Sequence, residues 1–289
     1  MPIFIKYDQL EGEAEHVKHR TDQLADGFED LGDGFVKIVF DAERELTASD
    51  STDLKIKSRF DHAALVFGDD FFKVGTNFLT LQDSVHKFDD AFVKLADPFI
   101  KITPSDNGDV APVSLASDFK FWEGDLKTTG LDIWASATTW KLDVKFDNTG
   151  SLGLAFQTLS DDFFKLGNDE HKIGADFRKV STQTDHKVLG AAFLKYGDDT
   201  VKLGDEYIKL SADFQKLAQD FAPAAPSDAS FVKLTPTIDQ VIQQNPQDFL
   251  KVAFDWNKLD RDLVGIGGDT VKLAEAVETA GTQTHFKLS

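Results

Sequence analysis

Seven histidines, fifty carboxylates and no cysteine set the chemistry this chain can offer. His16 and His19 stand three apart, close enough to share a helix face and touch a metal, but no third ligand follows them, and neither HExxH nor a zinc spacing occurs. Ser84 with Lys87, and Ser230 with Lys233, reproduce S-x-x-K, a pattern short enough for chance to supply it. The adjacent acids Asp69 and Asp70, Asp161 and Asp162, and Asp198 and Asp199 offer oxygens to calcium. They lack the loop spacing of an EF-hand and the nonapeptide of a calcium β-roll, which leaves helix-start and surface roles. G-x-S-x-G, a phosphate loop and G-x-G-x-x-G are all missing. The expectation is a chain with no catalytic residues, no cofactor and no metal, and so not an enzyme.

Composition narrows the partners. A formal charge of −19 over 289 residues opposes nucleic acid, which is held by clustered Lys and Arg that release counterions, and it opposes anionic membranes for the same reason. Without cysteine there is no disulfide framework or zinc-thiolate site. The opening "MPIFIKYDQLEGE" has no basic stretch followed by an apolar one, so no standard signal peptide is present; the expectation is the cell surface or beyond rather than the cytoplasm, by a route without a cleaved signal peptide. No window approaches the ~18 consecutive apolar residues of a membrane helix.

The elements that carry these residues repeat one phrase. "FFKLGND", "YIKLSAD", "FQKLAQD", "FLKVAFD" and "WNKLDRD" all read apolar, any, Lys, aliphatic, small, any, acidic. With the first position as a, the aliphatic residue is d, the seam of a coiled coil or helical bundle. The seam runs through Phe71, Val74, Phe78, Leu81, Phe88, Phe92 and Leu95, then Tyr207, Leu210, Phe214 and Leu217, and again through Trp256 and Leu259. Pro98 ends or kinks the first run. The acid at g precedes the next Lys at c by three, as in Asp213 and Lys216, which predicts ion pairs on a solvated outer face. Position e is often glycine, at Gly32, Gly75, Gly167, Gly174, Gly197, Gly204 and Gly267. Each interior glycine costs a helix ~1 kcal/mol relative to alanine, so either a neighbouring helix approaches along that stripe or the residues are drift from an ancestral repeat.

The heptads lose phase at "STQTDH" from Ser181, where a turn or local unwinding is expected. Residues 60–106 and 184–228 read as related copies, each finishing in a Pro-Ser-Asp loop. Between the helical stretches, "TTWKLDVKFDNTGSLGLAFQTL" alternates Trp140, Leu142, Val144 and Phe146 against charged residues, turns at Asn148 to Gly150, and alternates again. That pattern predicts a β-hairpin. The domain reading is therefore an N-terminal strand and helical arm over 1–106, a β-rich insert over 107–159 and a C-terminal helical arm over 160–289. The fold class expected is mainly α, an elongated heptad-patterned bundle or coiled coil with a small β-rich insert, α+β overall.

Ile3, Phe4, Ile5, Lys6, Asp8, Gly12 and Glu13 resemble the start of the Hcp family, the tube proteins of type VI secretion. The likeness covers about thirteen residues, after which the heptads depart from that family's compact β-barrel. The resemblance implies a secreted ring or tube assembly.

Repetition, seam length and the lack of a site favour a non-enzymatic structural protein that self-assembles into a fibre, tube or other homopolymer, with itself as partner. The alternative is a secreted pore-forming or membrane-interacting toxin in which the β insert serves as a tongue, although Lys141, Asp143, Lys145 and Asp147 interrupt any stretch that could enter lipid.

Overall fold

In the computed structural model, residues 2–47, 54–99, 111–146, 149, 151–222 and 236–285 are described. They form seven helices: α1 (Pro2–Thr47), α2 (Leu54–Phe99), α3 (Ala111–Phe146), α4 (Leu152–Gln183), α5 (Lys187–Asp220), the short α6 (Ile238–Gln244) and α7 (Pro246–His285). At 1.5 Å per residue, the 46 residues of α1 make a rod of about 69 Å. Thr237 and Gln240 close a capping box on α6, and Pro246 starts α7, where its missing N–H costs nothing.

The six long helices close into a ring in the order α1, α2, α3, α4, α5, α7, with α7 returning to α1. Neighbours are antiparallel: Gly27 lies against Val74 and Gly34 against Phe67, so α2 descends as α1 rises, and each later pair repeats the relation. The seams face inward and merge into one apolar core that draws on every helix. At mid-height Phe28, Phe78, Phe163, Phe214 and Trp256 meet across the ring, with Phe28 and Trp256 ring centres 4.3 Å apart and Phe163 to Trp256 5.5 Å. Phe35, Phe67, Trp140, Phe156 and Phe249 build a second aromatic layer at one end, and Phe92, Phe119, Phe177 and Phe193 a third at the other. The rings contact mostly edge-on or tilted, the geometry their quadrupoles prefer.

Of the seam residues read from the sequence, Phe71, Val74, Phe78, Leu81, Phe88, Phe92, Tyr207, Leu210, Phe214, Leu217, Trp256 and Leu259 are all buried in this core. The side chain of Leu95, the two Pro-Ser-Asp loops and the Ser230 to Lys233 pair lie outside the described residues. The seams therefore pair within one chain. The phase loss after Ser181 is the α4–α5 turn, where His186 caps α5 by accepting from the Leu189 backbone N–H.

The β-rich insert is corrected: no strand occurs among the described residues, and most of 107–159 is α3 and the start of α4. Leu115, Phe119, Trp122, Leu126, Thr129, Ile133, Ser136 and Trp140 are buried at heptad spacing, with Ala137 buried beside them, which continues the seam of the other helices. Leu142 and Phe146, read as the inner side of a strand, point to solvent. Threonines and aromatics at exposed positions of α3 imitated a strand, while Thr129 and Ala137 blurred the true stripe. Of the hairpin turn read at 148–150 only Thr149 is among the described residues, with helix on both sides of it, and the β tongue of the pore-forming reading is helix. Ile3 to Glu13, which carry the resemblance to tube proteins, belong to α1.

Candidate functional site

The residues singled out for chemistry do not converge. His16 and His19 are exposed on α1, and Ser84 is buried while Lys87 faces solvent. Among the described residues no three His, Asp or Glu side chains gather as metal ligands. The adjacent acids stand inside helices rather than at their starts, and each pair splits its roles. Asp69 reaches Lys141 of α3 while Asp70 holds Lys73 at 2.8 Å, and Asp161 is exposed while Asp162 is buried in a seam.

What the fold does bring together is carboxylates. Along the α3–α4 seam, Asp118 meets Asp176, Asp125 meets Asp169, and Asp132 meets Asp162. Each rung lies one heptad from the next on both helices, so antiparallel packing repeats the same encounter three times. The α5–α7 seam does the same with Asp199 and Asp269, Glu206 and Asp262, Asp213 and Asp255, and Asp220 and Asp248. The acid at g thus does not simply sit on a solvated face. It turns into the seam and meets an acid of the next helix, with lysines laid over it from outside.

Two carboxyls at contact distance hold a proton more tightly than one alone, and burial adds to the effect. Burial, with Asp132 beside it, pushes Asp162 up to about 7, and burial with Asp169 adjacent lifts Asp125 to about 6. Asp118 is likewise raised to about 6 by burial and Asp176, Asp213 to about 6 by burial and Asp255, and Asp220 to about 6 by burial and Asp248. On the α2–α3 seam burial, helped by Glu123, lifts Asp89 to about 7. Lysine decides the exceptions. Burial works upward on Asp199 and Glu206 too, but Lys195 and Lys202 outweigh it at the first, and Lys209 and Lys258 at the second, so both end below the usual range. The lysines along α4 bond their own helix's acids, Lys165 to Asp162 at 3.1 Å, Lys172 to Asp169 at 2.6 Å and Lys179 to Asp176 at 2.8 Å. Asp213, expected to pair with Lys216, instead takes Lys251 from α7, and Lys216 turns to Asp248.

One acid lies deeper. Glu170 of α4 is 1% exposed, its Oε1 has no hydrogen-bond partner, and burial raises it well above an ordinary glutamate. The buried Tyr196 and Tyr207 of α5 are close enough to feel its charge, and both are raised, by burial first and by Glu170 after it. Tyr196 Oη accepts from Thr270 Oγ1 at 3.4 Å. Burial here favours the protonated carboxyl and phenols, on side chains packed inside the core.

The outer surface has its own site. A groove of about 690 Å³ between α3 and α4 is lined by Phe121, Phe164 and His171 and by Lys165 and Lys172 together with Asp125 and Asp169, with the Lys172 ammonium 5.9 Å from the Phe121 ring centre. Farther along, Trp134 packs edge-on against Phe72 at the surface, and Leu131, Leu142, Phe146 and Leu154 are exposed. The heptad-spaced acids of α3, α4, α5 and α7 are visible in the sequence; that they face one another needs the register between helices. No protein family, characterised protein or solved structure matches the chain.

Proposed function

We propose that the protein is a non-enzymatic structural unit that associates with copies of itself through its outer helix faces. The seams are not free for this role, because they are used up within one chain. The reading is carried by the large apolar side chains exposed along α3 and the start of α4, Phe121, Leu131, Trp134, Leu142, Phe146 and Leu154, on a molecule whose interior is already filled. Contiguous exposed apolar surface beside charged residues marks interaction sites. The high net charge restrains association at low ionic strength, where self-repulsion is least screened.

Light-scattering mass after size exclusion tests this, at low and at physiological salt, with negative-stain images of the same fractions. The expected result is mass above 32.0 kDa that rises with concentration and from low to physiological salt. A uniform 32.0 kDa species across all conditions would overturn the reading.

A further inference from the structure

We infer that one copy's α1 docks on the α3–α4 face of the next, so that molecules join side by side in an open row. The inference rests on the self-association proposed above and names the surfaces that perform it.

The charge is distributed unevenly. α1 holds twelve acids against five Lys and Arg, a net −7 of the chain's −19. On its outer face Asp26, Glu29, Asp30 and Asp33 are exposed, with no exposed cation until Lys37. α3 is nearly balanced, with five acids against four lysines, but its acids are all buried or half-buried and its exposed charges are Lys120, Lys127 and Lys145. α4 continues this pattern, with Lys165, Lys172, Arg178 and Lys179 exposed against the single exposed carboxylate Asp161. In the ring α1 and α4 stand opposite each other, so the acidic face and the lysine-and-aromatic face look in opposite directions.

The two faces also match in height. Gly27 lies against Val74 and Gly75 against Gly130, which sets residue 27 of α1 level with residue 130 of α3. The two helices run parallel, so equal steps along each bring Phe40, 55% exposed, level with Leu142 and Phe146. Phe163 meets the layer of Phe28, and α4 runs the other way, so Leu154, 72% exposed, rises to the same height. The same level-matching sets Asp26 and Glu29 at the height of Lys127 and Lys165, and Glu15 near that of Lys172. A sideways translation with no axial shift therefore sets an apolar residue on an apolar patch and acids on lysines. The contact is heterologous, and because its halves face opposite ways it does not close on itself.

Two variants test it, each altering exposed residues only. One carries Glu29→Lys with Phe40→Ser, the other Lys127→Glu with Phe146→Ser. Each alone is expected to fall to a single-chain mass, with its association constant lowered at least tenfold and its helicity and melting temperature unchanged. Mixed in equal amounts, they retain one good face each and are expected to give a species of twice that mass and nothing larger. If both variants assemble like the unaltered protein, this assignment of faces fails while self-association stands. If the unaltered protein stays single under all conditions, both readings fail together. A mixture that does not pair, or loss of assembly in only one variant, also overturns the inference. So does phosphatidylserine-vesicle binding that the Lys127→Glu variant abolishes, since the face would then belong to a membrane.

Discussion

Asp132→Asn tests the carboxyl rungs most directly. Asp162, with its side chain 3% exposed, faces Asp132 across the α3–α4 seam and is held at about 7 by burial and that neighbour. Between its ordinary value and about 7 the folded chain binds a proton that the unfolded chain does not. Stability from this rung is therefore complete below about pH 4 and is lost as pH rises through 7. The displacement, which already includes the opposing pull of Lys165, sets an upper bound of ~4 kcal/mol, and partial access of water reduces it to ~2 kcal/mol. An asparagine at 132 removes the like charge and can donate to Asp162 at any pH. The variant should gain ~1–2 kcal/mol over the unaltered protein at pH 8, roughly 2–8 °C in melting temperature, and should lose the advantage by pH 5.5. Asp199 and Glu206 act in the opposite sense, but their contribution falls away below about pH 4, outside this window. Urea unfolding followed by helical circular dichroism from pH 5.5 to 8.5 reads the effect while staying clear of low solubility near the pI of about 4.6. Unaltered protein whose stability is flat or rises across that range would refute the reasoning, as would an Asp132→Asn penalty equal at every pH.

Glycine substitutions should separate by sign. Gly167→Ala places a methyl 2.7 Å from the Gly204 carbonyl oxygen and should cost ~1–3 kcal/mol in chemical denaturation, whereas Gly265→Ala meets nothing within 4 Å and should gain ~0.5–1 kcal/mol. Trp256→Ala, which empties the meeting point of Phe28, Phe163 and Phe214, should lower stability by ~3–5 kcal/mol in the same assay. Glu170→Gln keeps the shape of a carboxyl that burial raises, so its stability relative to the unaltered protein should improve as pH climbs from 5.5 to 8.5; a pH-independent loss would mean the side chain is needed as an anion.

Sequence periodicity revealed the interior well, because an a/d stripe has one low-energy outcome, which is burial. Twelve of the thirteen seam residues named from the sequence have described side chains, and each is buried. The same logic missed α3, where exposed Thr128 and Trp134 and half-buried Thr138 carry the types that fill strands, and a threonine and an alanine occupy the inner stripe. Local composition outweighed a weak but continuous heptad there. The glycines at e left two explanations open, and geometry decides between them: all seven lie within van der Waals reach of a neighbouring helix, whereas Gly12, Gly124, Gly265 and Gly268 meet nothing. The acid rungs were beyond reach for a different reason. Asp118 and Asp176 are both plainly heptad acids, but only the register of α3 on α4 makes them partners.

That register divides the ring into two kinds of seam. Gly75 with Gly130, Gly167 with Gly204 and Gly174 with Gly197 bring α2 onto α3 and α4 onto α5 until backbone touches backbone, and Gly32 against the Ala253 carbonyl does the same for α1 and α7. Contacts of this kind are indifferent to pH and leave no room for repacking. The α3–α4 and α5–α7 seams that join these pairs are lined with acids facing acids, and α1 meets α2 through Gly27 on Val74, Gly34 on Phe67 and, among the described residues, a bond from Asn77 to the Gln23 carbonyl. Loss of protons adds repulsion along those two seams, and at Asp89 beside Glu123 between α2 and α3, whereas among the described residues no such acid pair spans the glycine contacts of α4 and α5. Hydrogen exchange at pH 8 should accordingly protect the amides of α4 and α5 together, as one unit, even where α3 and α7 have begun to part from them. If α4 separates from α5 as readily as from α3, the division into two kinds of seam is wrong.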